Sequence, residues 1–228
     1  MNQTVRKPTK TAQVLERLQA DILNGTFEPE AKLPMDSLRQ RYGTSVSPLR
    51  EALAKLAVNG FVRVEEQCGF CVAPLSLKEL EDIYLVRAHI EDLALELAIR
   101  NGDTNWEGEI LASWHAFSRY IDPRLNKNID PSKWDQLQRV FLYSLVKSCD
   151  SDWLLKIREL LYDQAARYRV ASMYQSYENE EVLLGCIENG ERLVAAVLAR
   201  DVKEACRISR EAFGAAARII QDALKEKA

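Results

Sequence analysis

The stretch Ser45-Val-Ser-Pro-Leu-Arg-Glu-Ala-Leu53, running into Ala54-Lys-Leu-Ala-Val-Asn-Gly-Phe-Val-Arg63, limits what this chain can fold into more than any other. A turn rich in Gly and Ser opens into a helix. Pro48 falls in the first turn, where its missing N–H is tolerated, and Ser45 or Ser47 is placed to cap. Leu49, Leu53 and Leu56 share one face, and Arg50 projects near the exposed N-terminal end. An apolar back and a polar front end are what a helix needs to enter a nucleic-acid groove.

The flanks fit that reading. Thr11 to Asn24 is a helix with Val14, Leu15, Leu18, Ile22 and Leu23 apolar, stopped by Asn24-Gly25. Pro29 and Pro34 bracket an extended link, and a short helix follows from about Asp36 to Tyr42. Phe61 to Val64 and Phe70 to Ala73 read as two short strands about a turn at Gln67-Cys68-Gly69. Three helices and a hairpin in this order form a winged helix-turn-helix.

Beyond a boundary at Pro74 and Leu75 every signal is helical. Ser76 to Glu79 and Thr104 to Glu107 are capping boxes, and Asp201 to Glu204 resembles one. Helices are expected at about 77–101, 105–121, 132–148, 152–174, 180–199 and 202–226, with 122–130 the most loop-like link. The fold class is therefore mainly α: a flexible basic arm (1–10), a winged helix-turn-helix (11–74), and an all-α antiparallel bundle of about six helices (75–228).

Composition narrows the class further. In 228 residues there are nine Gly and seven Pro, and 47% are hydrophobic, enough for a substantial core. No apolar run approaches the roughly 18–20 residues that span a bilayer. With no hydrophobic signal segment at the N-terminus, the expectation is a soluble cytoplasmic protein without a membrane partner. Five scattered cysteines, at 68, 71, 149, 186 and 206, do not form a disulfide framework. The net charge is −3, but the residues up to Pro74 carry about +2 and the remainder about −5. A local basic face is what nucleic-acid binding requires.

Taken together, the two halves resemble the GntR family of bacterial transcriptional regulators, in its FadR-like subgroup with an FCD effector domain. The resemblance covers essentially the whole chain after residue 10. It rests on Ile22-Leu-Asn-Gly25, Leu33-Pro34, Ser47 to Leu53, Gly60-Phe-Val62, Gly69-Phe-Cys-Val72, Arg87 to Glu91 and Ala195 to Asp201. Pro48 to Leu53, Leu161 to Arg169 and Ala195 to Asp201 look most like the carbon-starvation and glutarate-type repressors. The resemblance implies a homodimer on a short double-stranded operator palindrome. It also implies a small organic acid effector that alters DNA affinity through the helical domain.

The chain departs from the family pattern at several points. Asp36 and Val46 stand where members commonly carry DNA-reading arginines. The wing tip, Glu65-Glu66-Gln67-Cys68-Gly69, is acidic where it is usually basic or glycine-rich. Many FCD domains hold a divalent metal with an Asp and a His one helical turn apart and two later His. Those positions fall at Gln138, Leu142, Gly190 and Ala212, none of the ligating type, so no family-type metal or other cofactor is expected.

The candidate DNA contacts are Arg39, Arg41, Ser45, Ser47, Arg50 and Gly69, with Arg6, Lys7 and Lys10 of the arm able to follow a groove or phosphates. Each has a plainer reading: Arg50 as a partner of Glu51, the serines as caps, Arg39 and Arg41 as a solvated face, the arm as a tail. The candidate effector contacts are Arg87, Gln138, Tyr143, Tyr168 and Arg169, with Tyr162 beside them. Arg87 lies in register with Leu80, Ile83, Tyr84, Ile90 and Ala94, so its guanidinium needs a carboxylate, from a ligand or from Glu91 at i+4. Cys68 and Cys71 form a C-x-x-C pair across the hairpin, read as a redox pair or as two hairpin residues. No nucleophile motif or phosphate loop is present, so no enzyme is expected. The sequence-level conclusion is a DNA-binding regulator, with repression the commoner family outcome. The alternative is a constitutive DNA-binding or protein-interaction module that has lost its effector.

Overall fold

The computed structural model describes residues 9–65, 69–177 and 179–226, with backbone only for 170–177. The chain divides into two compact units, Met1–Ser76 and Leu77–Ala228.

In the first unit, α1 (Lys10–Leu23), α2 (Met35–Tyr42) and α3 (Val46–Val58) precede β1 (Val62–Glu65) and β2 (Gly69–Val72). Thr9 caps α1 through its hydroxyl, and Gly43 ends α2 in the left-handed region at φ 61°. Only glycine takes that conformation at little cost, which makes Gly43 the pivot between α2 and α3. Helix α3 buries Leu49, Ala52, Leu53 and Leu56 against Val14, Leu18 and Ile22 of α1, with Phe61 and Val72 closing the same core. The hairpin is antiparallel, with Val62 opposite Val72 and Glu65 opposite Gly69.

The link between the prolines does more than connect. Glu30 N–H donates to Val72 O at 3.1 Å, Val72 N–H to Ala31 O at 2.9 Å, and Leu33 N–H to Phe70 O at 2.8 Å. It therefore lies along β2 as a third, bridge-like segment. The serine caps expected for α3 do not form. Ser45 occupies the N-cap position without a side-chain hydrogen bond, and Ser47 Oγ instead donates to Glu51 at 3.3 Å.

The second unit contains α4 (Leu77–Asn101), α5 (Thr104–Ile121), α6 (Pro131–Val146), a 3-10 turn at Lys147–Cys149, α7 (Asp152–Tyr177), α8 (Glu180–Leu198) and α9 (Val202–Glu226). Helix α4 packs on α7 and α9, α5 on α6 and α8, and α8 on α9. The cap of α5 is Asp103 rather than Thr104: its carboxylate accepts from Trp106 N–H at 2.8 Å. Asp201 does cap α9, accepting from Glu204 N–H at 3.0 Å. Trp106 is buried, and its indole N–H donates to Ser144 O at 2.7 Å, which ties α5 to α6. In the 122–130 link, Asp122 accepts from the Arg124 guanidinium at 2.8 Å through both oxygens. Among the described residues, no helix is long and apolar enough to cross a membrane.

Candidate DNA-binding surface and effector cavity

Helix α3 turns its leucines inward, which leaves Arg50 exposed. Glu51, its expected partner, is held instead by Thr11 Oγ1 at 3.0 Å and Ser47 Oγ at 3.3 Å. Arg50 makes no hydrogen bond or ion pair with a described residue, so its five N–H donors are presented to solvent.

Arg41 is placed differently. Its Nε donates to Asp21 at 2.9 Å, and the guanidinium lies 5.3 Å from the Phe27 ring centre. Tyr42 O–H donates to the same Asp21 oxygen at 2.6 Å, and burial together with that carboxylate holds the phenol well above its usual pKa. Arg41 thus helps to fix α2 on α1. Arg39 pairs with Asp36 at 3.4 Å, with both side chains largely exposed. Lys10, Arg39, Gln40, Thr44 and Ser45 surround a shallow open depression at the turn into α3. Glu65 of the wing pairs with Arg63 at 2.6 Å, which offsets part of the acidity expected there. Gly69 is exposed with φ 82°. Cys71 is buried, and its thiol faces Arg63 O at 3.8 Å. Arg6, Lys7, Glu66, Gln67 and Cys68 lie outside the described residues.

The helical unit contains a partly open cavity of about 230 Å³. Four aromatic side chains form one wall, Trp114 and Phe117 from α5 and Trp134 and Phe141 from α6. Phe117 meets Trp134 edge-on with ring centres 5.7 Å apart, and Trp114 meets Phe141 at 4.9 Å. Leu193, Ile208, Ala215, Ala216 and Ile219 supply much of the aliphatic lining. Polar groups are few: Gln138, Asn189 and Arg169. Gln138, Leu142, Gly190 and Ala212 all line this one space.

Of the five expected effector contacts, the cavity brings together Gln138 and Arg169. Arg169 donates to Asp135 at 2.7 Å and lies 4.3 Å from the centre of the Tyr162 ring. Burial pushes the Tyr162 phenol up to about 12. Tyr143 is exposed, and Tyr168 is buried with its hydroxyl on Glu79.

Arg87 is not on the wall. It is 4% exposed and stacked among Tyr84, Tyr162 and Phe213, 4.7 Å from the last ring centre. Its Nε has no hydrogen-bond partner among the described residues, and burial, then repulsion from Arg169, draws its pKa down. Glu91 is not its ion-pair partner. Both Glu91 oxygens accept from Arg158 of α7, at 2.7 and 3.0 Å, with both side chains 3% exposed. That pair joins residues 67 positions apart, which no helical spacing reveals.

The residues do not fit a metal ion. Of the four family ligand positions only Gln138 offers a donor atom. The space beside Gly190 is already filled, because a Cβ there would lie 2.1 Å from the Trp114 indole. None of the four aromatic wall residues is among the contacts read from the sequence. Trp134 and Phe141, seven apart on α6, and Trp114 and Phe117, three apart on α5, were the legible signal.

A winged helix-turn-helix followed by an all-helical unit is the plan of a class of DNA-binding transcription factors, and the comparisons place the chain among them. Residues 10–72 match the family described as bacterial regulatory proteins, gntR family, and residues 82–215 match the FCD domain. The chain is 38% identical over 208 residues to the HTH-type transcriptional repressor GlaR of Escherichia coli K12, across 91% of this chain and 94% of that protein. By fold it is similar to E. coli McbR/YncC, with a TM-score of 0.80 at 22% identity over 95% of this chain and 99% of that one. It is also similar to a putative GntR regulator from Rhodococcus sp. RHA1, with a TM-score of 0.73 at 17% identity over 94% and 99%. The chain belongs to the GntR family of bacterial regulators, in the group that carries an FCD domain. It is a DNA-binding transcriptional regulator of that type.

Proposed function

We propose that this protein is a homodimeric repressor that acts by binding rather than catalysis, and whose operator affinity is set by a small organic acid held in the helical unit. The observation that carries the reading is the cavity, a mainly apolar, partly open space with one guanidinium on its wall, at the positions where the resemblance puts ligand chemistry. It favours an effector over a constitutive module, which would have no use for a lined void. An operator target places the protein in the cytoplasm.

Arg50 reads a base edge, and Ser45, Ser47, Arg39, Lys10 and the arm contact phosphate. Arg41 acts mainly through the position of α2. The helical unit leaves apolar side chains exposed at Trp153, Ile157 and Leu160, which share a face of α7, and at Leu85 and Leu93 on α4. Faces of this kind suit a self-complementary dimer contact. Repression follows the name of GlaR, whose whole length this chain nearly matches. Ligand and operator then shift each other's affinity reciprocally.

DNase footprinting on the DNA upstream of the protein's own gene tests this reading. A two-fold symmetric protected site, altered by an organic acid and lost in Arg50→Ala, is expected. Protection without symmetry and indifferent to every acid tested would contradict it.

A further inference from the structure

We infer that the effector is a single-headed organic anion with an aromatic-sized apolar body, bound without a metal ion. This inference rests on the reading that the cavity holds an effector and names what kind. Three observations carry it.

The first is the identity of the walls. The indoles of Trp114 and Trp134 and the rings of Phe117 and Phe141 line the same space as Ile208, Ala212, Ala215, Ala216 and Ile219. A flat ring between aromatic edges and small aliphatic side chains loses water on both faces without leaving a polar group unpaired. A polyhydroxylated acid would bury hydroxyls against these walls with almost nothing to receive them.

The second is the distribution of charge. Among the described residues lining the cavity Arg169 is the only charged one, and it pairs with Asp135 behind the wall at 2.7 Å. Arg87 adds a second buried positive charge that shares the Tyr162 ring and has no ion-pair partner among the described residues, so Arg87, Arg169 and Asp135 together leave one net positive charge. This corner suits one carboxylate, with the Gln138 and Asn189 carboxamides as further wall donors. A second carboxylate on the ligand would have to sit against Trp, Phe, Leu or Ala.

The third is the fate of the metal positions. Leu142 and Ala212 have become apolar wall, and Gly190 has admitted the Trp114 indole into the space a ligating side chain would use. A glycine at 190 thus both lacks a ligating side chain and leaves room for the Trp114 indole. The volume of about 230 Å³ lies below the roughly 300–1,000 Å³ of pockets for drug-sized ligands, which calls for a compact molecule.

The test uses the full-length protein dialysed against a chelator. Thermal melting, tryptophan fluorescence and calorimetry are followed with benzoate, 3-phenylpropionate and hexanoate, and separately with glutarate, citrate and gluconate, each with and without zinc or manganese. Saturable stabilisation by the apolar monoacids, unchanged by chelator, is expected, with Trp114 and Trp134 reporting contact. The uncharged 3-phenylpropan-1-ol should bind at least about tenfold more weakly for want of the charge-assisted bonds. Ala216→Phe, which fills the cavity, should abolish the response while the protein still melts cooperatively and binds DNA. Arg169→Gln should weaken binding of the acid more than of the alcohol. Preference for glutarate, citrate or gluconate, or a response that appears only with metal, would overturn the inference and leave the effector reading standing. No response to any acid in melting, fluorescence or operator affinity would overturn both.

Discussion

Arg158 and Glu91 show how much a single buried contact can determine. Each is enclosed, and their bidentate pair joins α7 to α4 while Arg158 also donates to Leu142 O at 2.9 Å. Removing one partner strands the other charge, which typically costs about 3–5 kcal/mol, whereas replacing both with apolar groups is often close to neutral. Glu91→Leu should therefore lower stability by about that amount in chemical denaturation, and adding Arg158→Met should recover most of the loss. A double variant as unstable as the single would show that the pair's charges themselves are required.

At the DNA surface the two arginines should separate. Arg50→Ala should leave the melting curve unchanged and cost about 1–3 kcal/mol of operator discrimination. Arg41→Ala should lower the melting temperature of the first unit, because Asp21 loses its ion-pair partner and the Phe27 ring loses the guanidinium beside it. The exposure of Arg50 was legible from its place between inward leucines. The Arg158–Glu91 pair and the tethering of Arg41 by Asp21 were not, since both depend on packing between distant segments.

At the scale of elements, the helices were legible almost throughout because their faces repeat at 3.6 residues and their ends carry Gly, Pro or Asp. The errors fall where a local rule had a near competitor. Asp103 and Thr104 are adjacent cap candidates, and the carboxylate is the one that reaches Trp106 N–H. The segment 30–33 was read only as a link because prolines bracket it, yet it hydrogen-bonds to β2.

The Asp103 cap also gives a pH signature. Its hydrogen bond from Trp106 N–H holds the carboxyl below its usual pKa. A depressed folded-state pKa adds stability above the unfolded value, about 3.9, and that stability is lost as pH falls through the folded value. Asp103→Ala should thus melt below wild type at neutral pH, with the gap closing as pH drops below about 4; a gap that persists into stronger acid would refute the capping account. At the cavity, Gly190→His cannot restore a metal site without displacing Trp114 from Phe117 and Phe141. Overpacking of that kind costs about 1–3 kcal/mol, so this variant should be destabilised and should gain no stability from zinc.

For the whole molecule, the chain forms two compact units, and the proposed function assigns DNA reading to the first and ligand sensing to the second. The two-part plan was visible in the change from a helix-and-hairpin pattern to uninterrupted capped helices. The cavity was visible only as a set of substitutions. Gln138, Leu142, Gly190 and Ala212 come from three helices, and sequence alone does not show that they meet in one space.

The central claim is that the first unit recognises a particular DNA sequence through a local basic surface, despite a net charge of −3. Fluorescence anisotropy of the purified protein tests it most directly, with labelled DNA from upstream of its own gene, a scrambled control and a salt series. Tight binding to the upstream DNA alone is predicted, weakening with salt at a slope of about −0.9 per phosphate neutralised. Equal, weak binding to both DNAs at every salt concentration would contradict the account.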